Sequence, residues 1–294
     1  MANLVSKGFV LNFNTNLHAG SGDANYGIID KLVQREPATN RPIIHSSSLK
    51  GALREYFEFI NPPVKKDDKV ITNEFVCEVF GSHQNDNNME TGKCRFLAAY
   101  LLSLPVRSNV IPYFMATSVD VLKELKQEAE STGFALTPDL VAQIDSIIEL
   151  FKVNGEEILH EGEPIIFTSK FGLNVTLEDW KAKVNDKVKI TELENITGGN
   201  LAVFNSRNFT ELCNQLPVIA RNQLENGVSK NLWYEEVVPR FSRFFQFMLV
   251  PDEKEIDPEK PINKFLSELV NKDNTFQIGA NATIGYGYCK FIKL

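Results

Sequence analysis

The chain has 294 residues, 43% hydrophobic and 23% charged, a globular composition long enough for one large domain or two small ones. No run approaches the roughly 18 apolar residues that span a bilayer, and the N-terminal MANLVSKGFVLNFNTN lacks the apolar stretch of a signal peptide, so a cytoplasmic protein is expected. A net charge of −7 argues against a nucleic-acid partner only as an average, and four scattered cysteines without a C-x-x-C pair argue against a zinc cluster or a disulfide framework.

KGFVLNFNTN alternates apolar and polar, which predicts a half-buried strand with Phe9, Leu11 and Phe13 on one face. HAGSGDANYGIIDKLVQRE, residues 18 to 36, is too long and too charged for a plain hairpin turn and predicts a surface loop that meets something charged. In SSSLKGALREYFEFI the apolar residues from Leu49 to Ile60 recur at helical spacing. Ser46 or Ser47 is the expected cap, and Asn61-Pro62-Pro63 the stop. CRFLAAYLLSLPV predicts a buried strand ending at Pro105. Residues 117 to 163 predict an inserted acidic helical subdomain, and EPIIFTSKFGLNV a return to extended structure. Residues 198 to 231 predict a long excursion. RFFQFMLV predicts a strand, INKFLSELV an amphipathic helix, and QIGANATIGYGYCKFI a glycine-rich hairpin into a last strand. The β-α-β … β-α-β order predicts an α+β, ferredoxin-like core carrying insertions.

Charge is uneven along this path. From Asp120 to Glu163 there are eleven acids against Lys123, Lys126 and Lys152, whereas Asp30 to Arg54 holds five basic residues against two acids. An acidic middle and a basic N-terminal edge permit nucleic-acid binding without requiring it.

Three places could carry chemistry. Lys50 stands where a capping-box acid would be, so the helix N-terminus is open to an anion. Ser47, Ser48, Lys50 and Arg54 then form either a phosphate cradle or a solvated helix face. In GANATIGYGY, Gly279, Gly285 and Gly287 either let a ligand approach the backbone or make a tight hairpin. In LWYEEVVP, Glu235 and Glu236 point to opposite faces of a strand, so at most one faces any given site. His18, His45, His83 and His160 have no metal-ligand spacing, and only His18 adjoins a glycine loop.

Taken in order, HAGSG, GIID-x-x-x-QRE, P-x-I-x-x-SSLKGALR, VFGS at 79–82, LLSLPVRS at 101–108, LWYEEVVP at 232–239 and IGANATIGYGY resemble the RAMP superfamily of CRISPR proteins. Within it, GIIDKLVQRE and LWYEE are similar to the repeated backbone subunits of type III-B (Cmr) effector complexes. The chain departs from the family pattern at Asn40, where glycine is usual, and at Ser46 and Ala98.

The resemblance implies a single RAMP domain over 1–294: an RRM-like palm, a helical insertion, and a protruding thumb hairpin within roughly 200–230. It implies copies stacked along a crRNA guide beside other type III-B subunits, each thumb displacing a base pair, and a metal-dependent endoribonuclease cutting single-stranded target RNA at regular intervals. Asp30 carries over as the catalytic acid, with His18, Tyr234 and Glu235 as secondary candidates. Lys31, Arg35, Ser47, Ser48, Lys50, Arg54, Gly279, Thr283 and Gly285 carry over as RNA-binding. Cleavage would use the RNA's own 2′-hydroxyl in line with the phosphorus. Asp30 would hold a divalent cation, Mg²⁺ or Mn²⁺, because an ordinary carboxylate is a weak base at neutral pH. The competing readings are a catalytically silent RNA scaffold of the same superfamily and a phosphometabolite-binding enzyme using the glycine loops.

Overall fold

The computed structural model describes residues 4–22, 27–66, 69–82, 89–153, 156–157, 162–252, 257 and 259–294. Asp23, His83 and His160 lie outside them. The alternation at the N-terminus becomes β1 (Leu4–Phe13). Its Val10 is as buried as Leu11, so the strand is covered on both faces rather than half-buried. After β2 (Ile43–Ile44), α1 (Ser46–Ile60) buries Leu49, Leu53 and Phe57, one residue per turn along a single stripe. Neither Ser46 nor Ser47 caps it. His45 is the N-cap, without a side-chain bond, and both serines lie exposed in the first turn. The helix ends where Asn61 donates through its backbone N and Nδ2 to Phe57 O, just before the two prolines.

Next come α2 (Glu74–Phe80), β3 (Arg95–Arg107), β4 (Tyr113–Ser118), α3 (Val119–Thr132) and α4 (Pro138–Leu150). The strand β3 runs through Pro105 rather than ending there. Beyond Ser103 only one neighbour is registered against it, so the missing Pro105 N–H interrupts no second ladder. Ser118 and Thr137 cap the two acidic helices by accepting from Val121 N and Leu140 N. Of the stretch expected to be extended after Glu163, β5 (Ile165–Ile166) joins the large sheet, followed by β6 (Lys183–Val184). The expected excursion at 198–231 instead contains a strand, a helix and most of a hairpin. These are a buried strand, β7 (Leu201–Phe204), after α5 (Thr191–Thr197); a helix, α6 (Ser206–Asn214); and an exposed hairpin of β8 (Val218–Glu225) and β9 (Val228–Glu236). Asn226 and Gly227, with φ of 51° and 80°, turn the hairpin in two residues. The chain closes with β10 (Arg243–Pro251), α7 (Pro261–Leu269), β11 (Phe276–Gln277) and β12 (Tyr288–Lys293).

The sheet order is β6-β5-β7-β4-β3-β10-β1-β12-β11, with β2 alongside β3. Its centre, β12-β1-β10-β3, is wholly antiparallel. In chain order these are the fourth, first, third and second strands of a β-α-β-β-α-β unit whose helices are α1 and α7. Everything from 108 to 242 is inserted between its second and third strands.

Both faces of this palm are covered. On one, Phe57 meets Phe80, Phe265 and Phe276 at ring distances of 5.9, 5.1 and 6.2 Å, and Phe80 stacks on Phe96 at 5.3 Å. On the other, Phe245 stacks on Tyr100 and Phe247 meets Phe134 at 5.4 Å, beside α3. Gly8 makes the latter contact possible, since a Cβ there would stand 3.0 Å from both rings. The palm is therefore RRM-like in connectivity but offers no open sheet face on which bases could stack.

Phe57 is the centre of the larger aromatic cluster and is fully buried. Phe57→Ala is expected to lower the unfolding free energy by about 3–5 kcal/mol, read from the urea midpoint at constant m-value.

Candidate nucleic-acid interface and active site

The 18–36 loop is folded against the root of the hairpin. Leu17 and Val238 exchange backbone hydrogen bonds of 2.9 Å in both directions. Gln34 N donates to Ala19 O at 2.7 Å and Ser21 N to Leu32 O at 3.0 Å, which closes the neck of the loop. Asp30 N and Lys31 N both donate to Tyr234 O, each at 3.1 Å, and Glu236 N donates to Lys31 O at 2.9 Å. Residues 30 and 31 thus run along the outer edge of β9. There the exposed Asp30 accepts from Tyr234 N on Oδ2 at 2.7 Å, and its other oxygen has no partner among the described residues. Tyr234 itself is 37% exposed.

Glu235, 1% exposed, is the hub of this region. Its Oε1 accepts from Lys31 Nζ at 3.1 Å and Trp233 Nε1 at 2.9 Å; its Oε2 accepts from Arg221 Nε at 3.1 Å and Asn281 Nδ2 at 2.9 Å. Burial pushes the carboxyl pKa up, but the hydrogen bonds from Trp233, Lys31 and Arg221 outweigh it and hold the value at about 2. A carboxylate so fully engaged positions its neighbours rather than exchanging protons with a substrate. Glu236, on the other face of β9, accepts from Arg35 Nη2 at 2.5 Å and Val33 N at 3.1 Å.

The same contacts reassign several expected residues. Arg35 is 16% exposed and also donates to Asn40 O and Cys213 O, so it faces inward rather than toward a bound RNA. Its neighbour Asn40 has φ of 57°, which accounts for asparagine where a glycine is usual. His18 is buried and donates from Nδ1 to Glu236 O at 2.7 Å. Gly279, at φ 85°, is packed so closely that a Cβ would stand 2.6 Å from His18 O; it joins two loops rather than opening a ligand path. Gly285 and the exposed Thr283 sit further along the same loop, and a Cβ on Gly285 would meet nothing within 4 Å. Lys31 remains available: its side chain is 54% exposed, and its Nζ lies 5.3 Å from the Trp233 ring centre.

A separate groove of about 770 Å³ opens beside the first turns of α1, lined by Ser46, Ser47, Lys50, Arg54, Arg95 and residues 80–82 and 90–92 among others. Burial lowers the Lys50 pKa, and the Arg54 and Arg95 charges lower it further, the signature of cations gathered around one space. Arg54 Nε is paired with Glu58 at 2.6 Å, while its buried Nη2 has no acceptor among the described residues. Ser48 turns away and accepts from Gln34 Nε2 at 2.8 Å. Sequence reading missed Arg95, because only the sheet brings the start of β3 beside α1. It also missed Arg221, Trp233 and Asn281 as partners of Glu235.

No group of three or more metal-ligating side chains occurs among the described residues. Glu235 and Glu236 hold their oxygens against nitrogen donors, so Asp30 is the carboxylate left for a cation. One carboxylate does not make a protein cage, but it fits an ion such as Mg²⁺ that takes its remaining ligands from phosphates and water.

A two-faced palm with a serine- and lysine-bearing helix, a long insertion and an exposed hairpin rooted on a charged loop defines a class. The chain belongs to the RAMP superfamily, whose family model matches residues 10–290. It is 28% identical over 287 residues to the CRISPR system Cmr endoribonuclease Cmr4 of Pyrococcus furiosus, covering 94% of this chain and 91% of that one. The fold matches a subunit of the type III-B Cmr-beta complex in its apo state, with TM-score 0.75, 22% identity, and 99% and 97% of the two chains covered. It matches the same complex bound to cognate target RNA with TM-score 0.75, 23% identity and 98% and 96% coverage. Oligomeric Cmr4 from Pyrococcus furiosus gives TM-score 0.68 at 23% identity, with 98% of each chain covered.

The lowered Glu235 pKa adds stability that is fully present above the ordinary carboxylate value of 4.5 and is lost as pH falls toward about 2. Glu235→Gln lacks that contribution. The stability gap between wild type and variant is expected to narrow steadily across this window in acid titrations of urea unfolding. A gap independent of pH there contradicts the ionised, hydrogen-bonded Glu235.

Proposed function

We propose that this chain is a backbone subunit of a cytoplasmic type III-B CRISPR ribonucleoprotein. It binds guide RNA irrespective of sequence, oligomerises along it with other subunits of the complex, and cleaves complementary target RNA endonucleolytically. The observation that carries the reading is Asp30, an exposed carboxylate locked to the root of the projecting hairpin beside the half-exposed Lys31.

The groove at α1 supplies the guide site. Ser47, Lys50, Arg54 and Arg95 are donors for phosphate and ribose oxygens, which every guide presents alike. Letter recognition passes to base pairing, as in other guided effectors. Beyond its root the hairpin exposes Leu224, Val228 and Leu232, an apolar wedge that can part a base pair where a soluble strand would otherwise be polar. A parted pair bends the target strand beside Asp30 and helps place the 2′-oxygen in line with its phosphorus. Lys31 then holds a phosphate oxygen. A Mg²⁺ or Mn²⁺ ion, held by Asp30 together with RNA phosphates, would supply charge neutralisation at the reacting phosphate.

In the reconstituted complex, Asp30→Ala is expected to leave guide loading and assembly intact while single-turnover cleavage of target RNA falls at least about 100-fold. Unchanged cleavage would favour the silent scaffold. Chelation with EDTA is expected to stop cutting, and added Mg²⁺ or Mn²⁺ to restore it.

Lys50→Ala and Arg95→Ala are each expected to weaken binding equally for guides of unrelated sequence. Each should reduce the salt slope of binding by about 0.7 for every phosphate left without its cation. Sequence-dependent losses in filter-binding or fluorescence titrations would refute the groove assignment.

A further inference from the structure

Arg221 lies on β8, across the hairpin from Trp233 in the strand register. Its guanidinium is held in place from several sides. Nε donates to Glu235 Oε2 at 3.1 Å, the planar group lies 4.7 Å from the Tyr286 ring centre, and the side chain is only 22% exposed. Its Nη2 is nevertheless buried with no acceptor among the described residues. Leaving a buried donor unpaired is costly, more so when it is charged, and folded proteins leave few such groups. The inward-facing arginines behave differently. Arg35 reaches three acceptors, and Arg41 pairs with Glu124 at 2.5 Å. Arg54, whose buried Nη2 also has no acceptor among the described residues, lines the groove assigned to guide phosphates.

The surroundings specify what the missing acceptor is. One carboxylate, Glu235, holds two cations, Lys31 on Oε1 and Arg221 on Oε2, so the cluster keeps a net positive charge. Lys31 adjoins Asp30 in the chain, and Asp30 is bound to the same strand at Tyr234. A guanidinium with one nitrogen tied to a carboxylate and another left without a partner suits an anionic oxygen.

We propose that Arg221 donates from Nη2 to a nonbridging oxygen of the target phosphodiester cut beside Asp30, which makes the thumb a contributor to catalysis as well as a wedge. The inference rests on the function proposed above. In that reaction the 2′-oxygen bonds to phosphorus as its hydroxyl loses a proton, and the bond to the 5′-oxygen breaks as that oxygen gains one. The products are a 2′,3′-cyclic phosphate and a 5′-hydroxyl. Negative charge grows on the nonbridging oxygens in between, and the guanidinium, anchored through Nε and the Tyr286 ring, stabilises that charge once its covered Nη2 is opened to the bound strand. Trp233 and Tyr286 serve as positioning residues that keep the two cations apart and oriented.

The test uses the assembled complex, a fixed guide and target RNAs carrying a single Rp or Sp phosphorothioate at the cleaved linkage. Wild type is expected to be slowed by one diastereomer. Arg221→Gln should lower the single-turnover rate about 100- to 1000-fold, with target affinity changed only a few-fold, and abolish that diastereomer preference. Arg221→Lys keeps a cation beside Glu235 but loses the second nitrogen. It should melt within a few degrees of wild type, load guide normally and still lose the preference.

Either variant cutting at the wild-type rate, or cutting slowly with the wild-type preference retained, overturns the assignment of Arg221 and leaves the nuclease reading intact. A wild-type complex that loads guide and target but does not cut overturns both.

Discussion

One buried carboxylate holds together the region on which the proposed chemistry depends. Glu235 collects donors from the 27–36 loop, from both strands of the hairpin and from the terminal glycine loop. Without those donors its burial would favour the neutral acid; with them it stays ionised far below the usual range. The next residue, Glu236, repeats the device on the opposite face of the strand with Arg35 and Val33 N. The paired acids are a two-sided rivet. Each face of β9 is fastened to a different part of the loop, and Asp30 is left exposed at the edge between them.

The palm explains why recognition has moved to such loops. In an open ferredoxin-like sheet, aromatic residues can stack bases directly. Here Phe245 and Phe247 are covered by Tyr100, α3 and Phe134, while Phe96 is covered by Phe80 of α2 and Phe265 of α7. The polar contacts available to a nucleic acid lie on the first turns of α1, on the loops at the hairpin root, and on the hairpin itself. Charge follows the same division. Acids concentrate on α3 and α4, and one of them, Glu124, is half-buried, its pKa raised by burial despite the Arg41 charge beside it. Lys31, Lys50, Arg54, Arg95 and Arg221 occupy the two sites, so a net charge of −7 is compatible with gripping a polyanion.

Much of this was legible in the amino-acid order. Apolar periodicity marked β1, α1, β10 and α7, and the order of those elements implied the ferredoxin-like core. Lys50 and Arg54 stood out as a cationic stripe at the start of a helix that lacks a capping-box acid, whereas the roles given to Asp30 and Lys31 came from the resemblance to the superfamily. The hairpin's local sign, Asn226-Gly227, whose preference for positive φ sets a two-residue turn, went unread in a stretch that composition marks only as a long excursion.

What the sequence determined by itself was local: which segments form strands and helices, where glycine or asparagine must turn the chain, and which polar residues stand beside one another. The tertiary structure decided which charges meet. Lys31 and Glu235 are 204 residues apart, Asn281 and Glu235 are 46 apart, and Arg35 is drawn inward by an acid 201 residues away. The reason is physical. Periodicity reports the backbone's own geometry, which depends on near neighbours. Whether a charged side chain faces solvent or a buried partner depends on desolvation and Coulomb energies that exist only once distant strands have been brought into register.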